Sequence, residues 1–301
     1  MAQYSIKDLE KLSGIKAHTL RIWELRYGII TPNRTDTNIR YYDDNDLRSL
    51  LNIALLNHNG FKISKISGMT SAEIENEILS ITETGKDVTG FIEAFTIAMI
   101  ELNEQKFEKV IGNGILKFGF EKTMIEIIHP FLVRIGLMWQ VGSIKPAQEH
   151  FISNLIRQKL ISAIDGQHVQ IGNNSPKFLL FLPEGETHEL SLLFLSYFIR
   201  ARNMQVIYLG QSVPFEDIVS TSEIYSPDYL LSIFTTYPSI NDLSGYINDL
   251  SSRLKKQKII LSGYRSLDFK GEIPVNAVTL KQIKDILSFL QNCQVEVSLK
   301  N

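Results

Sequence analysis

The stretch KFLLFLPEGETHELSLLFLSYFIRARNMQVIYLG, residues 177–210, opens with an unbroken apolar run at Lys177–Leu182 and closes on another at Gln205–Leu209. A strand without polar alternation is covered on both faces, as in a parallel sheet flanked by helices. Glu189–Ala201 predicts a helix between them, so strand, helix and strand follow in the order of a parallel crossover. Downstream, Phe215–Tyr225 reads as a helix, Tyr229–Phe234 as a strand, Ile240–Lys255 as a helix and Lys258–Ser262 as a strand. Val275–Thr279 makes a last short strand before a helix at Lys281–Leu290. Residues 176–301 are therefore expected to form an α/β domain around a parallel sheet.

Upstream, Gly172–Ser175 reads as a linker, and Val88–Ile164 changes to helical period throughout. Phe91, Phe95 and Met99 form one apolar stripe; Phe107, Val110, Ile111 and Ile115 form the next. Ile125, Ile128, Leu132, Ile135 and Met138 make a third, and Phe151, Leu155, Ile161 and Ile164 a fourth. Short breaks at Leu102-Asn103, Gly119 and Gly142-Ser143 join them into an expected four-helix bundle over 88–170. Residues 70–86, with Glu83-Thr84-Gly85-Lys86, are polar and weakly patterned, and predict a linker near 76–88.

Residues 1–75 predict a small helical head. Ser5 caps a first helix, with Asp8 completing a capping box, and Gly14 supplies a turn. Leu20, Trp23 and Tyr27 line one side of a second helix, with Arg21 and Arg26 off that stripe. Pro32-Asn33-Arg34, a polar tip at Asp36-Thr37-Asn38 and a return at Ile39–Tyr42 predict a hairpin. Asp43 or Asp44 then caps a helix over Asp46–Asn57, and Ile63 and Ile66 belong to one more turn. Two helices around a glycine turn, an Arg-bearing second helix and a hairpin are the ingredients of a winged helix-turn-helix.

Bulk composition narrows the class. With 44% hydrophobic and 21% charged residues, the chain has apolar mass for real cores. A lone cysteine, Cys293, excludes a disulfide framework and fits a reducing cytoplasm. No apolar stretch approaches the ~18 residues of a membrane span, and the start is no signal peptide. Residues 1–42 hold seven Lys/Arg against four Asp/Glu, a net of +3, which leaves −5 for the rest of a chain of net −2. A basic head on an acidic body fits a nucleic-acid module joined to something else.

Two constellations stand out. Trp139 and Glu149-His150 flank a connector whose Pro146 suits a first helical turn, so they meet at one end of the bundle. An indole beside a carboxylate and an imidazole suits a ligand face, because buried Glu and His need partners; a packed Trp and a solvated helix start is the open alternative. Glu186-Thr187-His188 follows the first α/β strand, where ligands of open parallel sheets bind. There an imidazole can meet a metal while Glu186 holds its other N–H; an ordinary helix-start residue is the alternative. His58, His129 and His168 have no ligand grouping. There is no phosphate loop, nucleophile elbow or interpretable carboxylate pair, which points away from an enzyme.

The block Tyr4-Ser5-Ile6, Gly14-Ile15, His18-Thr19-Leu20-Arg21-Ile22-Trp23-Glu24, Tyr27-Gly28, Pro32, Arg40-Tyr41-Tyr42 and Asp46 resembles the MerR family of transcriptional regulators over roughly the first 70 residues. The resemblance implies that His18, Thr19 and Arg21 face the major groove of double-stranded DNA and that Tyr27 lies near the backbone. It places Arg34, Arg40 and Tyr41 on the wing with its phosphate contacts. Residues 88–301 resemble the cobalamin-binding module, a four-helix cap before a flavodoxin-like, Rossmann-like domain. Trp139 with Glu149-His150 resembles the signature of adenosylcobalamin photoreceptors of the CarH/LitR type. Glu186-x-His188 resembles the module's cobalt-binding loop, which implies His188 as the lower axial ligand and Trp139 and Glu149 as guards of the upper face. Ser232 matches a cofactor-binding serine, and Ser262-Gly263 the paired glycines that admit the nucleotide tail.

Four positions depart from that pattern. Ser191 and Ser262 replace glycines, Phe234 replaces a smaller aliphatic residue, and Gln140 stands where such photoreceptors can carry a cobalt-capturing His. The resemblance implies a repressor that senses cobalamin, and light through adenosylcobalamin. In the resembled receptors a dark tetramer binds operator DNA and comes apart when light breaks the Co–C bond. No long dimerisation helix is seen, so a homo-oligomer is expected to assemble through bundle and sensor. The rivals are a regulator with a decayed pocket controlled by a protein partner, and a cobalamin-dependent enzyme subunit.

Overall fold

Ser5 opens the first helix, α1 (Ile6–Ser13), with a reciprocal box: Asp8 N–H donates to Ser5 Oγ and Ser5 N–H to the Asp8 carboxylate. Gly14, at φ 72°, turns the chain into α2 (Ala17–Tyr27). The computed structural model describes all residues except 1–3, 36–37, 85–87, 141–143, 169, 173–174, 268, 270 and 299–301. It divides into two compact units, Met1–Leu155 and Ile156–Asn301. Among the described residues no helix is long and apolar enough to cross a membrane.

In the first unit, β1 (Asn33–Arg34) and β2 (Arg40–Tyr41) pair antiparallel, and Tyr4 and Tyr42 exchange backbone hydrogen bonds of 2.9 Å. The expected tip at Asp36-Thr37 lies outside the described residues. Asp43 caps α3 (Asp44–His58), which buries Leu47, Leu50, Leu51, Ala54 and Leu55. The single turn α4 (Ile63–Ile66) follows.

The linker expected near 76–88 is corrected: α5 runs Ser71–Thr84. Thr70 and Glu73 cap it reciprocally, with bonds of 2.7 and 3.3 Å, and Ile78 is buried where the helix packs on α3 and α6. The Gly85-Lys86 end of that reading lies outside the described residues.

The helical segments that follow are α6 (Val88–Ile100), α7 (Glu104–Phe118), α8 (Phe120–Thr123), α9 (His129–Gln140) and α10 (Pro146–Asp165), with a π-turn at Met124–Ile128 between α8 and α9. α6 is buried almost all round because α3, α5, α7 and α9 pack on it. Phe95 sits at its centre, 5.4 Å from Phe107 and 5.5 Å from Phe131 between ring centroids.

Two apolar stripes shift from expectation. The π-turn adds one residue to the helical register, so Met124, Ile127 and Phe131 are buried while Ile125 and Leu132 are only half-buried. In α10 the buried row is Ile152, Leu155, Ile156 and Leu160, and Ile161 is 47% exposed. Polar ties accompany the packing: His58 Nδ1 lies 3.2 Å from Glu93 Oε1, and Arg134 of α9 donates to the Leu12 carbonyl of α1 at 2.5 Å.

The second unit holds β3 (Lys177–Pro183), α11 (Leu190–Arg200), β4 (Gln205–Val213), α12 (Phe215–Tyr225), β5 (Tyr229–Ile233), α13 (Leu243–Arg253), β6 (Lys258–Ser262), α14 (Tyr264–Leu267), β7 (Ala277–Thr279) and α15 (Ile283–Ser298). The sheet order is β4-β3-β5-β6-β7, parallel throughout, which is the flavodoxin order. One face packs Leu179, Phe181, Leu230 and Leu261 against Ile218, Val219, Leu243 and Ile247. The alternate residues Phe178, Leu180, Leu231 and Ile260 are equally buried, so both faces are covered, as the unbroken apolar strands require. Chain direction across the sheet reverses between β3 and β5, and a crevice is expected beyond their carboxyl ends.

Candidate functional site

Glu186 lies in the loop after β3, at that switch point, and is fully buried. Its Oε2 accepts backbone N–H bonds from Thr235, Thr236 and Tyr237, the loop after β5, at 2.9, 2.6 and 3.0 Å. Oε1 accepts from the N–H groups of Thr187 and His188 at 3.0 and 3.1 Å, and lies 2.5 Å from His188 Nδ1. Burial by itself pushes this carboxyl up, but the bonds from the His188 ring and the Thr236, Tyr237 and His188 amides outweigh it and hold the group far below the ordinary carboxylate range.

An ionised Glu186 fixes the His188 tautomer. The proton sits on Nδ1, and Nε2 carries the lone pair that ligates metals. The ring is 55% exposed while its orienting carboxylate is wholly buried. Gly185, at φ 85°, lets the loop pass under the Tyr237 ring, where a Cβ would come within 3.2 Å.

The other α/β candidates divide. Ser232, at the end of β5, is buried and its Oγ has no hydrogen-bond partner. Such a hydroxyl is expensive to bury unsatisfied. Ser262 Oγ instead donates to the Leu280 carbonyl at 2.9 Å. Gly263 has a backbone reason to be glycine: at φ 94°, a Cβ would lie 2.6 Å from the Phe234 carbonyl oxygen. Phe234 is a core residue, its ring 5.9 Å from that of Tyr246. Ser191 is exposed in the first turn of α11.

In the first unit Trp139 is 50% exposed near the end of α9, and α10 begins at Pro146 as anticipated. Glu149 Oε2 lies 2.7 Å from His150 Nδ1, and Ser153 Oγ donates to Glu149 Oε1 at 2.6 Å. The Gly142-Ser143 connector lies outside the described residues, as does the Gln140 side chain.

In the head, His18, Arg21, Ile22 and Leu25 form the exposed side of α2, with Thr19 half-buried beside them. Arg34 and Arg40 stand directly opposite each other across the hairpin, both exposed. Like charges in that register repel, and an anion between them relieves the repulsion. Arg34 donates to Asn38 Oδ1 at 2.7 Å, and Arg40 lies 3.8 Å from Glu24. Tyr42, whose hydroxyl is pushed up to about 12 by burial and then by Glu24, is buried, while Tyr41 and Tyr27 are half-buried.

Residues 4–73 match the family described as MerR HTH family regulatory protein, and residues 91–162 match the B12 binding domain. The chain joins a MerR-family helix-turn-helix domain to a B12 binding domain. The MerR segment spans α1 to the start of α5, and the B12 segment spans α6 to α10. Among curated proteins, the HTH-type transcriptional repressor CarH of Myxococcus xanthus is 28% identical over 75% of this chain and 77% of its own length. CarA of the same organism, also named an HTH-type transcriptional repressor, is 23% identical over 86% and 85%. A Methanosarcina barkeri monomethylamine corrinoid protein overlays 74% of the chain and 99% of itself at a TM-score of 0.48 and 13% identity, too loose a likeness to add to the fold.

The sequence reading paired Glu186 with His188 but missed the amides of 235–237, which lie about fifty positions away and carry no side-chain signal. It also missed Arg157, Glu189 and Tyr208, whose juxtaposition depends wholly on the fold.

Proposed function

We propose that this protein is a cobalamin-sensing transcriptional repressor that binds operator DNA through a winged helix-turn-helix. The carrying observation is the Glu186–His188 pair: an imidazole oriented through Nδ1 by a buried carboxylate at the switch point of a parallel sheet. That arrangement suits a cobalt ligand, and the unsatisfied Ser232 hydroxyl near the carboxyl end of β5 suits a polar atom of a bound group. When bound, cobalamin would supply a cobalt ion open to a protein ligand and, in its adenosyl form, a light-labile Co–C bond. His188 would ligate the cobalt through Nε2, Glu186 would keep the proton on Nδ1, and Ser232 would take part in cofactor binding.

Trp139, Glu149 and His150, with the four-helix cap that carries them, are assigned to the upper ligand on the family resemblance alone. His18, Thr19 and Arg21 read the major groove, Tyr27 lies near the backbone, and Arg34, Arg40 and Tyr41 hold phosphates. The protein acts by binding and not by catalysis, and assembles as a cofactor-dependent homo-oligomer.

The test is an absorption spectrum of the full chain mixed with adenosylcobalamin in the dark, desalted, and recorded before and after green light. The wild type is expected to retain a corrinoid whose spectrum shifts on illumination, and His188→Ala to retain only a small, fast-releasing fraction of it. A His188→Ala protein that keeps the wild-type spectrum sinks the ligand assignment. Ser232→Ala separates binding from folding: it is expected to raise the stability of the cofactor-free unit by about 1 kcal/mol, since it removes an unsatisfied buried hydroxyl, and to weaken cofactor retention. Denaturation and retention measured side by side check both signs.

A further inference from the structure

Glu189, the residue after His188, is held from two other elements. Its Oε2 accepts from Arg157 of α10, at 2.9 Å from Nε and 2.8 Å from Nη2, and its Oε1 accepts from the Tyr208 hydroxyl of β4 at 3.1 Å. The Glu189 side chain is only 12% exposed, so these partners take the place of solvent around its carboxylate. β4 bulges here: Leu180 pairs with Tyr208 but Phe181 pairs with Gly210, and the bulge re-aims the strand beside the loop. Glu189 also starts α11, its carbonyl accepting from Leu193 N–H at 3.0 Å.

His188 is thus flanked by two anchored carboxylates with different jobs. Glu186 fixes its ring and its own N–H, while Glu189 fixes the chain on its other side. We infer that Arg157, Glu189 and Tyr208 form a clamp that positions His188 for its ligand. The inference rests on His188 being the cofactor ligand. Burial, then the Glu189 charge, push the Tyr208 hydroxyl far above its ordinary range, so it stays a donor at any pH the protein meets. The bonds of Arg157 and Tyr208 run to Glu189, one residue from His188, so the clamp acts by positioning.

The test uses the full chain loaded with adenosylcobalamin in the dark, and a double-mutant cycle. Arg157→Met is expected to speed corrinoid release roughly ten-fold, as loss of supporting groups around a metal ligand does. In a His188→Ala background the same substitution is expected to change the residual release rate no further. In the cofactor-free chain, amide exchange at 187–189 is expected to rise in Arg157→Met while exchange in β3 and β5 stays unchanged. Equal acceleration with and without His188 overturns the inference, because the salt bridge then serves only packing. Unchanged exchange at 187–189 overturns it as well. A wild-type chain that retains no corrinoid overturns the cofactor reading instead, and the exchange measurement still decides whether the clamp holds the loop.

Discussion

Glu186→Gln is expected to destabilise the Ile156–Asn301 unit by about 3–5 kcal/mol at neutral pH, the scale for breaking a buried charged network. A carboxylate accepts at both oxygens, and here one oxygen faces three backbone N–H groups while the other faces two N–H groups and the His188 ring. A glutamine amide must turn its NH2 toward one of those donor sets. Whichever way it turns, buried donors are left facing a donor.

The same geometry sets a pH dependence. The folded carboxyl titrates well below its ordinary value of 4.5, so the unfolded chain takes up the proton first as pH falls. Its contribution is therefore complete above about pH 5 and is lost progressively below that, toward the folded value. Hydrogen exchange of β3 and β5 amides in the cofactor-free protein at pH 7 and pH 4 measures the effect for this unit alone. The wild type should lose protection between the two, and the Gln variant should start lower and lose less. An equal loss in both proteins would assign the acid sensitivity to other groups.

What could be read from the chain, and what could not, follows from the range of the forces involved. The central strands β3, β5 and β6 were legible because burial on both faces leaves an unbroken apolar run, and Lys177–Leu182 and Lys258–Ser262 have nothing else to signal. The capping box at Ser5 was legible because both partners lie within one turn, and the cap left open between Asp43 and Asp44 proved to be a second such box, Asp43 with Asp46. The Thr70–Glu73 box carries the same local signal, but the polar run behind it hid α5, whose place depends on Ile78 meeting a core built by other helices. The π-turn at Met124–Ile128 changes the register by one residue, so a constant helical period chose Ile125 and Leu132 where the fold buries Met124 and Phe131. The Glu186–His188 pair was legible because the two residues are neighbours in the loop. Its partners from the loop after β5 are the amides of Thr235, Thr236 and Tyr237 and the Thr236 hydroxyl, which lie about fifty positions away and which no local pattern announces.

Gly263→Ala is expected to cost the cofactor-free protein about 3 kcal/mol or more, beyond the 1–3 kcal/mol of a left-handed backbone alone. The methyl would meet the Phe234 oxygen at 2.6 Å, the Phe234 nitrogen at 2.8 Å and Ile233 Cγ2 at 2.9 Å. Two of these atoms are backbone, and they are not free to retreat. Phe234 N–H donates to the Ser262 carbonyl at 2.8 Å, and Arg265 N–H donates to the Phe234 carbonyl at 2.9 Å. Relieving the clash therefore means parting the ends of β5 and β6, with the fully buried Phe234 ring between sheet and helix. The substitution distinguishes two reasons for the glycine. If Gly263 only made room for a cofactor tail, the alanine variant would lose binding while its cofactor-free stability matched the wild type. If it is needed for β5 and β6 to close, denaturant unfolding without any cofactor already shows the loss. The approach of Phe234 to Gly263 favours the second outcome, and a cofactor-free midpoint equal to that of the wild type would refute it.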